Sequence, residues 1–184
     1  MVDLGYVKRE LPFGEDVKTT KRSVYLIVDP FLRFWFRYNN PNRSLLELGL
    51  VDQVYETCMH TFNHHVGSVW EDCARMSTAF LPIDTIQWKP AHRWWGPGTN
   101  RQPLELDVVA ESIDGRHILL GEVKWEDRVD VAVLNSELKQ KAGYLPFVKG
   151  RILHYAVWAK KIQGGKPSGC SVFGPDDVLM SLRR

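Results

Sequence analysis

The chain has 184 residues, 44% hydrophobic and 25% charged, with a formal net charge of +2. That balance excludes intrinsic disorder, and a charge so close to zero means that nucleic acid or membrane contact would have to come from local patches. The three cysteines, Cys58, Cys73 and Cys170, are far apart with no Cys-x-x-Cys pair, which argues against a disulfide framework or zinc ribbon and for a cytoplasmic protein.

No apolar run approaches the ~20 residues of a membrane span, and the short charged N-terminus is no signal peptide. Met1 to Arg9 reads as a helix end stopped at Gly5. A loop through Pro12 and Gly14 leads to a strand over Ser23–Val28. Asp29-Pro30 then starts a helix, with Asp as N-cap and Pro at the first turn, and Asn39-Asn40-Pro41 ends it. Phe31, Phe34, Trp35 and Tyr38 fall at helical spacing in between, the pattern of a packing stripe rather than of a base-stacking platform.

From about Leu50 to Phe80, apolar residues recur with the period of a long amphipathic helix, with a break expected near Gly67. Glu71 follows Trp70 at the edge of its buried face. His60 and His64 share a helical face, but no third metal ligand is close in sequence. Asp84–Trp88 reads as a strand, and Lys89 to Arg101, with its two glycines and two prolines, as a loop. Arg93, Trp94 and Arg101 in that loop are candidates for nucleic-acid contacts, because cationic and aromatic groups together suit a phosphate backbone and unstacked bases. At least one of its tryptophans is expected to pack beneath the adjoining hairpin instead.

That hairpin, Leu104 to Glu126, is the centre of the chain. Two Val-, Leu- and Ile-rich runs flank Asp114-Gly115, which reads as a type I′ turn. Opposed positions then share the sum of Ile113 and Arg116, so Asp107 faces Glu122 and Glu105 faces Lys124, all on one side of the sheet. Opposed Cβ atoms lie about 5 Å apart, where like charges destabilise a sheet. The second strand is too apolar for a solvated edge, so the acid pair is explained most simply by a divalent cation. Val129–Gly143 follows as a helix, Arg151–Trp158 as a buried strand, Cys170–Phe173 as a short strand and Asp176–Arg184 as a closing helix.

With Glu71 on a helix, Asp107 on a strand and Glu122-Val123-Lys124 on the next, the pattern resembles the restriction-endonuclease-like PD-(D/E)XK nucleases. The usual proline before the motif aspartate is replaced by Leu106. A resemblance spanning nearly the whole chain is to the C-terminal domain of archaeal-type P-loop ATPases, carried by Asp29–Arg37, Arg93–Gly96, Glu105–Val109 and Leu120–Trp125. The chain has no Gly-x-x-x-x-Gly-Lys-Ser/Thr loop, so an ATPase module is expected upstream or on a separate chain. Together these imply an α/β fold with a restriction-endonuclease-like mixed sheet flanked by helices. A winged-helix remnant and the aromatic helix would occupy residues 1–45, and the nuclease-like domain residues 46–184.

The implied activity is Mg²⁺- or Mn²⁺-dependent hydrolysis of DNA phosphodiesters. Asp107, Glu122 and the Val123 carbonyl would hold the metal, Lys124 would position or deprotonate the attacking water, and Glu71 would orient it. Glu105 would hold Lys124 in place. The alternative is a non-catalytic DNA-docking or regulatory domain of an ATPase. A defence or toxin–antitoxin partner is a third class, and self-association stays open.

Overall fold

The computed structural model describes Val2 and residues 4–183. It opens with a two-stranded antiparallel hairpin, β1 (Val7–Glu10) and β2 (Val24–Ile27). Gly5, at φ 74°, turns the chain into β1 and does not end a helix. The part of that expectation resting on Met1 and Asp3 lies outside the described residues. Helix α1 (Pro30–Phe34) starts as the sequence predicts, with the Asp29 carboxylate accepting from Phe31 N at 2.7 Å and Leu32 N at 3.3 Å. It continues into a π-helical turn over Trp35–Asn39. Of the four aromatic residues in the expected stripe, only Phe34 and Tyr38 pack inward, against Phe62 and His65. Phe31 and Trp35 stay exposed.

A short α2 (Arg43–Glu47) precedes α3 (Val51–Ser77), which runs unbroken through Gly67. A glycine inside a helix costs about 1 kcal/mol relative to alanine, an amount that the packed face of a 27-residue helix absorbs. Beyond it, Asp84 and Thr85 have positive φ (52° and 56°), so this stretch turns and does not form the expected strand. Half of the expected loop is instead strand β3 (His92–Pro97).

Strand β4 (Pro103–Glu111) and β5 (His117–Lys124) form the central hairpin. A two-residue strand β6 (Val129–Asp130) leads into α4 (Val131–Ala142), capped by Asp130. Strand β7 (Ile152–Ala159), the short β8 (Ile162–Gln163), β9 (Ser171–Phe173) and α5 (Pro175–Leu182) complete the chain. The main sheet has the order β3-β4-β5-β7-β9, antiparallel from β3 to β5 and parallel from β5 to β9. The protein is thus mixed α/β, with a five-stranded mixed sheet flanked by helices.

Both faces of the sheet are covered, and so β5 is buried along nearly its whole length. On one side Trp70 and Ala74 of α3 and Val178 of α5 pack on Val108, Leu119 and Trp158. On the other, Val131 and Leu138 of α4 pack on Leu106, Leu120 and Val157. Gly121 is demanded by this packing: a Cβ there would sit 2.5 Å from the Trp158 ring and 3.0 Å from Val108 Cβ.

The N-terminal hairpin is docked on the sheet domain. Asp72 of α3 receives Lys8 at 3.2 Å, Arg33 at 2.7 Å and its own helix's Arg75 at 2.9 Å. Phe13 N donates to Arg93 O at 2.8 Å. The two hydrogen-bonded arginines outweigh the burial that would raise the Asp72 carboxyl and hold it at about 2.

Candidate active site

The site forms where β5 ends, at Glu122-Val123-Lys124. The register is the one predicted, with Val108 opposite Gly121 and the pairing sum kept through Glu111 and Ile118. The turn that sets it is different. Asp114 does not have positive φ, and the connection is a four-residue loop, Ile113–Arg116, closed by Ser112 N to His117 O at 3.0 Å. Asp114 instead folds its carboxylate back onto Ser112 Oγ at 2.6 Å and Arg116 N at 3.0 Å, a local bond that competes with the I′ geometry. Two- and four-residue loops centred on the same bond give the same register, which is why the prediction of opposed positions survives.

Asp107 lies at a β-bulge. His92 pairs with Val109 while Trp94 pairs with Leu106, so Asp107 and Val108 together oppose the single residue Arg93. Such a bulge reverses the alternation of faces along β4. Leu104 and Leu106 face α4, whereas Val108 and Ala110 face α3. Between them, the Asp107 carboxylate reaches across the end of the ladder and accepts from Val123 N at 2.9 Å. Its carbonyl, freed by the bulge, accepts from Arg75 at 2.9 Å.

The reversal separates residues expected on one face. Glu122 and Lys124 lie on the α4 side, and Lys124 bonds Glu122 at 3.2 Å. Glu105, flanked by the inward Leu104 and Leu106, turns the other way and pairs with Arg93 at 2.8 Å, so it does not hold Lys124. Glu71 is on the α3 side, 3.7 Å from Arg75. The carboxyl of Asp107, between the two sides, is pushed up to about 7 by burial, then by Glu122 and Glu71. Burial also raises Glu71, against the opposing pull of Arg75 and Arg93. For Lys124, burial is outweighed by Glu122 and Asp107, and its ammonium is held above the ordinary lysine value.

Two neighbours of the candidate site escaped the sequence reading. Lys141 of α4 bonds Glu122 at 3.0 Å and the carbonyl of Glu105 at 3.2 Å. Its signal was its position three residues after the buried Leu138, where a long side chain borders the packed face. Arg75 stands one helical turn beyond Glu71 and Asp72, and that spacing was visible in sequence.

Of the proposed nucleic-acid contacts, Trp94 is corrected. It is 2% exposed and packs edge-on against Phe147, so it cannot stack a base. Trp95 is the half-buried neighbour, with the Arg93 guanidinium 5.5 Å from its ring. Arg93 is committed to Glu105 and lies 3.8 Å from Glu10, whereas Arg101 is exposed on a turn with φ 64°. His65 of the histidine cluster is buried among aromatic rings, and burial and two arginines lower its pKa.

Among the described residues, no group of three or more His, Cys, Asp and Glu is arranged to hold a metal. The smaller set does suit a hard cation. Burial, then the charges of Glu122 and Glu71, raises the Asp107 carboxyl, and a cation beside it would relieve both. The Val123 carbonyl shares the side of the strand to which Val123 N points, towards Asp107. Mg²⁺ is held by one or two carboxylates with water completing its shell.

A family described as "Archaea bacterial proteins of unknown function" (DUF234) matches residues 35–141. The chain belongs to this family. The matched stretch of this DUF234 protein contains Glu71, Arg75, Asp107, Glu122, Lys124 and Lys141. The chain is also 30% identical over 185 residues to the uncharacterized protein MJECL04 of Methanocaldococcus jannaschii, with 96% of this chain and 39% of that protein covered. The chain therefore spans about two fifths of the length of that relative. No solved structure matches it. Among the described residues, no helix is long and apolar enough to cross a membrane.

Proposed function

We propose that this DUF234 chain is a metal-dependent nuclease domain that hydrolyses DNA phosphodiesters on a restriction-endonuclease-like fold. The observation that carries the reading is the end of the central hairpin. There Asp107, fixed by Val123 N, meets Glu122, with Lys124 and Lys141 on the latter's two oxygens. Asp107, Glu122 and the Val123 carbonyl would hold Mg²⁺ or Mn²⁺. Such an ion supplies an acidified water and Lewis-acid stabilisation of phosphate charge.

The chain's own groups divide the remaining work. Lys124 keeps its proton between two carboxylates, so it serves as a cation facing the phosphate and not as the base. Glu71, raised by burial, is better suited to take the proton of the attacking water. Arg101, exposed on the neighbouring loop, would meet a flanking phosphate.

The resemblance to the C-terminal domain of archaeal-type ATPases, together with a relative more than twice as long, supports an ATPase module upstream or on a partner chain. The rival reading, a non-catalytic docking or regulatory domain, is favoured by one observation: Glu122 is already paired with two lysines.

Incubation of purified protein with Mg²⁺ or Mn²⁺ and single- and double-stranded DNA and RNA decides between them. Cleavage that disappears in Lys124→Ala and Glu71→Gln is expected. Wild type and Lys124→Ala equally inert on every substrate would leave the docking reading. In calorimetry, Mn²⁺ binding is expected to vanish in Asp107→Ala, and binding that persists there would remove Asp107 from the ligand set.

A further inference from the structure

Beside Glu71 and Lys124 a cavity of about 380 Å³ opens between α3 and the segment following β5. Its α3 wall carries Asn63, His64, Gly67 and Ser68, and its opposite wall Trp125 and Lys160. We infer that this cavity receives one unstacked nucleotide next to the scissile phosphate, and that the substrate strand is single-stranded or locally unpaired. The inference rests on the nuclease reading and names its substrate class.

Three observations carry it. The volume lies within the range of about 300–1,000 Å³ typical of small-ligand sites. The walls combine an aromatic ring with polar side chains able to meet a base edge, the composition that reads extruded bases. Trp125 is anchored on Trp70, with ring centroids 5.5 Å apart, and Lys160 lies 5.3 Å from its centroid. The third observation is Gly67. A Cβ there would meet only Trp125 Cβ, at an ordinary 3.8 Å, so close packing does not require the glycine. A helix-weakening residue that packing does not demand thus lines the cavity, where a longer side chain would take up its space.

The lining also carries Lys124, Glu126 and Asp127, the last two exposed and Asp127 bonded to Lys160 at 2.7 Å. The lysines suit the nucleotide's phosphate, whereas the two carboxylates favour an uncharged base beside them over a second phosphate.

The test compares Gly67→Leu, Trp125→Ala and Trp125→Phe with wild type. Anisotropy of a labelled oligonucleotide, single-stranded or annealed as a blunt duplex, is measured in Ca²⁺, and cleavage in Mg²⁺. Wild type should prefer the single strand. Gly67→Leu and Trp125→Ala should each lose about tenfold in single-strand affinity, the scale of one stacked base, and Trp125→Phe should recover it. Mn²⁺ calorimetry and the melting temperature of Gly67→Leu establish that the fold and acid pair are intact. Wild-type affinity in Gly67→Leu, or equal affinity of wild type for duplex and single strand, would overturn the inference. Absence of cleavage on every substrate would instead remove the nuclease reading, and the Ca²⁺ binding data would still decide the cavity.

Discussion

Asp107 has the most to lose as a charged group in the metal-free protein. Its folded pKa of about 7 lies above the ordinary aspartate value of 3.8. Below about pH 4 both states hold the proton and no penalty exists. As pH rises towards 7 the unfolded chain releases its proton first, so stability falls through that window and stays lowered above it. Asp107→Asn removes the charge and keeps an acceptor for Val123 N. In chelator we expect it to melt about 5 °C higher than wild type at about pH 8 and equally at about pH 4. Calorimetric scans at both pH values check this, and equal melting at the higher pH contradicts the strained-acid description. The register of β4 on β5 was legible because the period of a strand fixes it once the centre of the turn is known. The fate of Glu105 was not. A bulge has no local signature when the extra residue is an ordinary aspartate between apolar neighbours.

At the scale of elements, Asp72 fastens the N-terminal hairpin and α1 to α3. Its carboxyl is depressed to about 2, so its contribution is full above about pH 4 and is lost as pH falls towards 2. Asp72→Ala leaves three cations without their shared anion, at a cost of about 3 kcal/mol. It should make the β1–β2 connection an early site of limited proteolysis, and mass analysis of the first fragment tests this. Gly121→Ala puts a methyl group against the Trp158 ring and Val108. We expect a loss of about 2 kcal/mol or more in denaturant unfolding. The long helix could be read from periodicity although most of its buried residues, His65, Trp70, Ala74 and Ser77, lie in its second half, and the central hairpin and β7 from their apolar runs. Strand β3 could not, since its Trp-Trp-Gly-Pro sequence carries turn residues that an edge position tolerates. The Asp84–Trp88 stretch misled in the opposite direction: Ile83, Ile86 and Trp88 are inward side chains of a turning segment.

For the molecule as a whole, the three-layer arrangement follows from strands apolar on both faces and helices with one apolar side, and the sequence carried that much. Docking of the N-terminal hairpin and α1 was hidden, because it depends on Asp72 and on backbone contacts such as Phe13 to Arg93 that have no pattern along the chain. Under the proposed function, a cation held by Asp107 and Glu122 would link β4 to β5. Saturating Mn²⁺ should therefore raise the melting temperature of wild type, by about 5–10 °C at a hundredfold excess over the dissociation constant. Asp107→Asn and Glu122→Gln should show little of this gain, and an equal gain in both would move the ion elsewhere.

The mismatch of two residues in β4 against one in β3 has a consequence for how the chemistry is encoded. Asp107 is the supernumerary member: with it removed, Leu106 would adjoin Val108, and the pairings of Trp94 with Leu106 and His92 with Val109 would fall into one uninterrupted ladder. The shortened chain should thus fold into a more regular sheet, and under the proposed function it would keep Glu122 without the second carboxylate that the ion needs. Under the proposed function a regular sheet and an ion site would be alternatives, exchanged by a single codon.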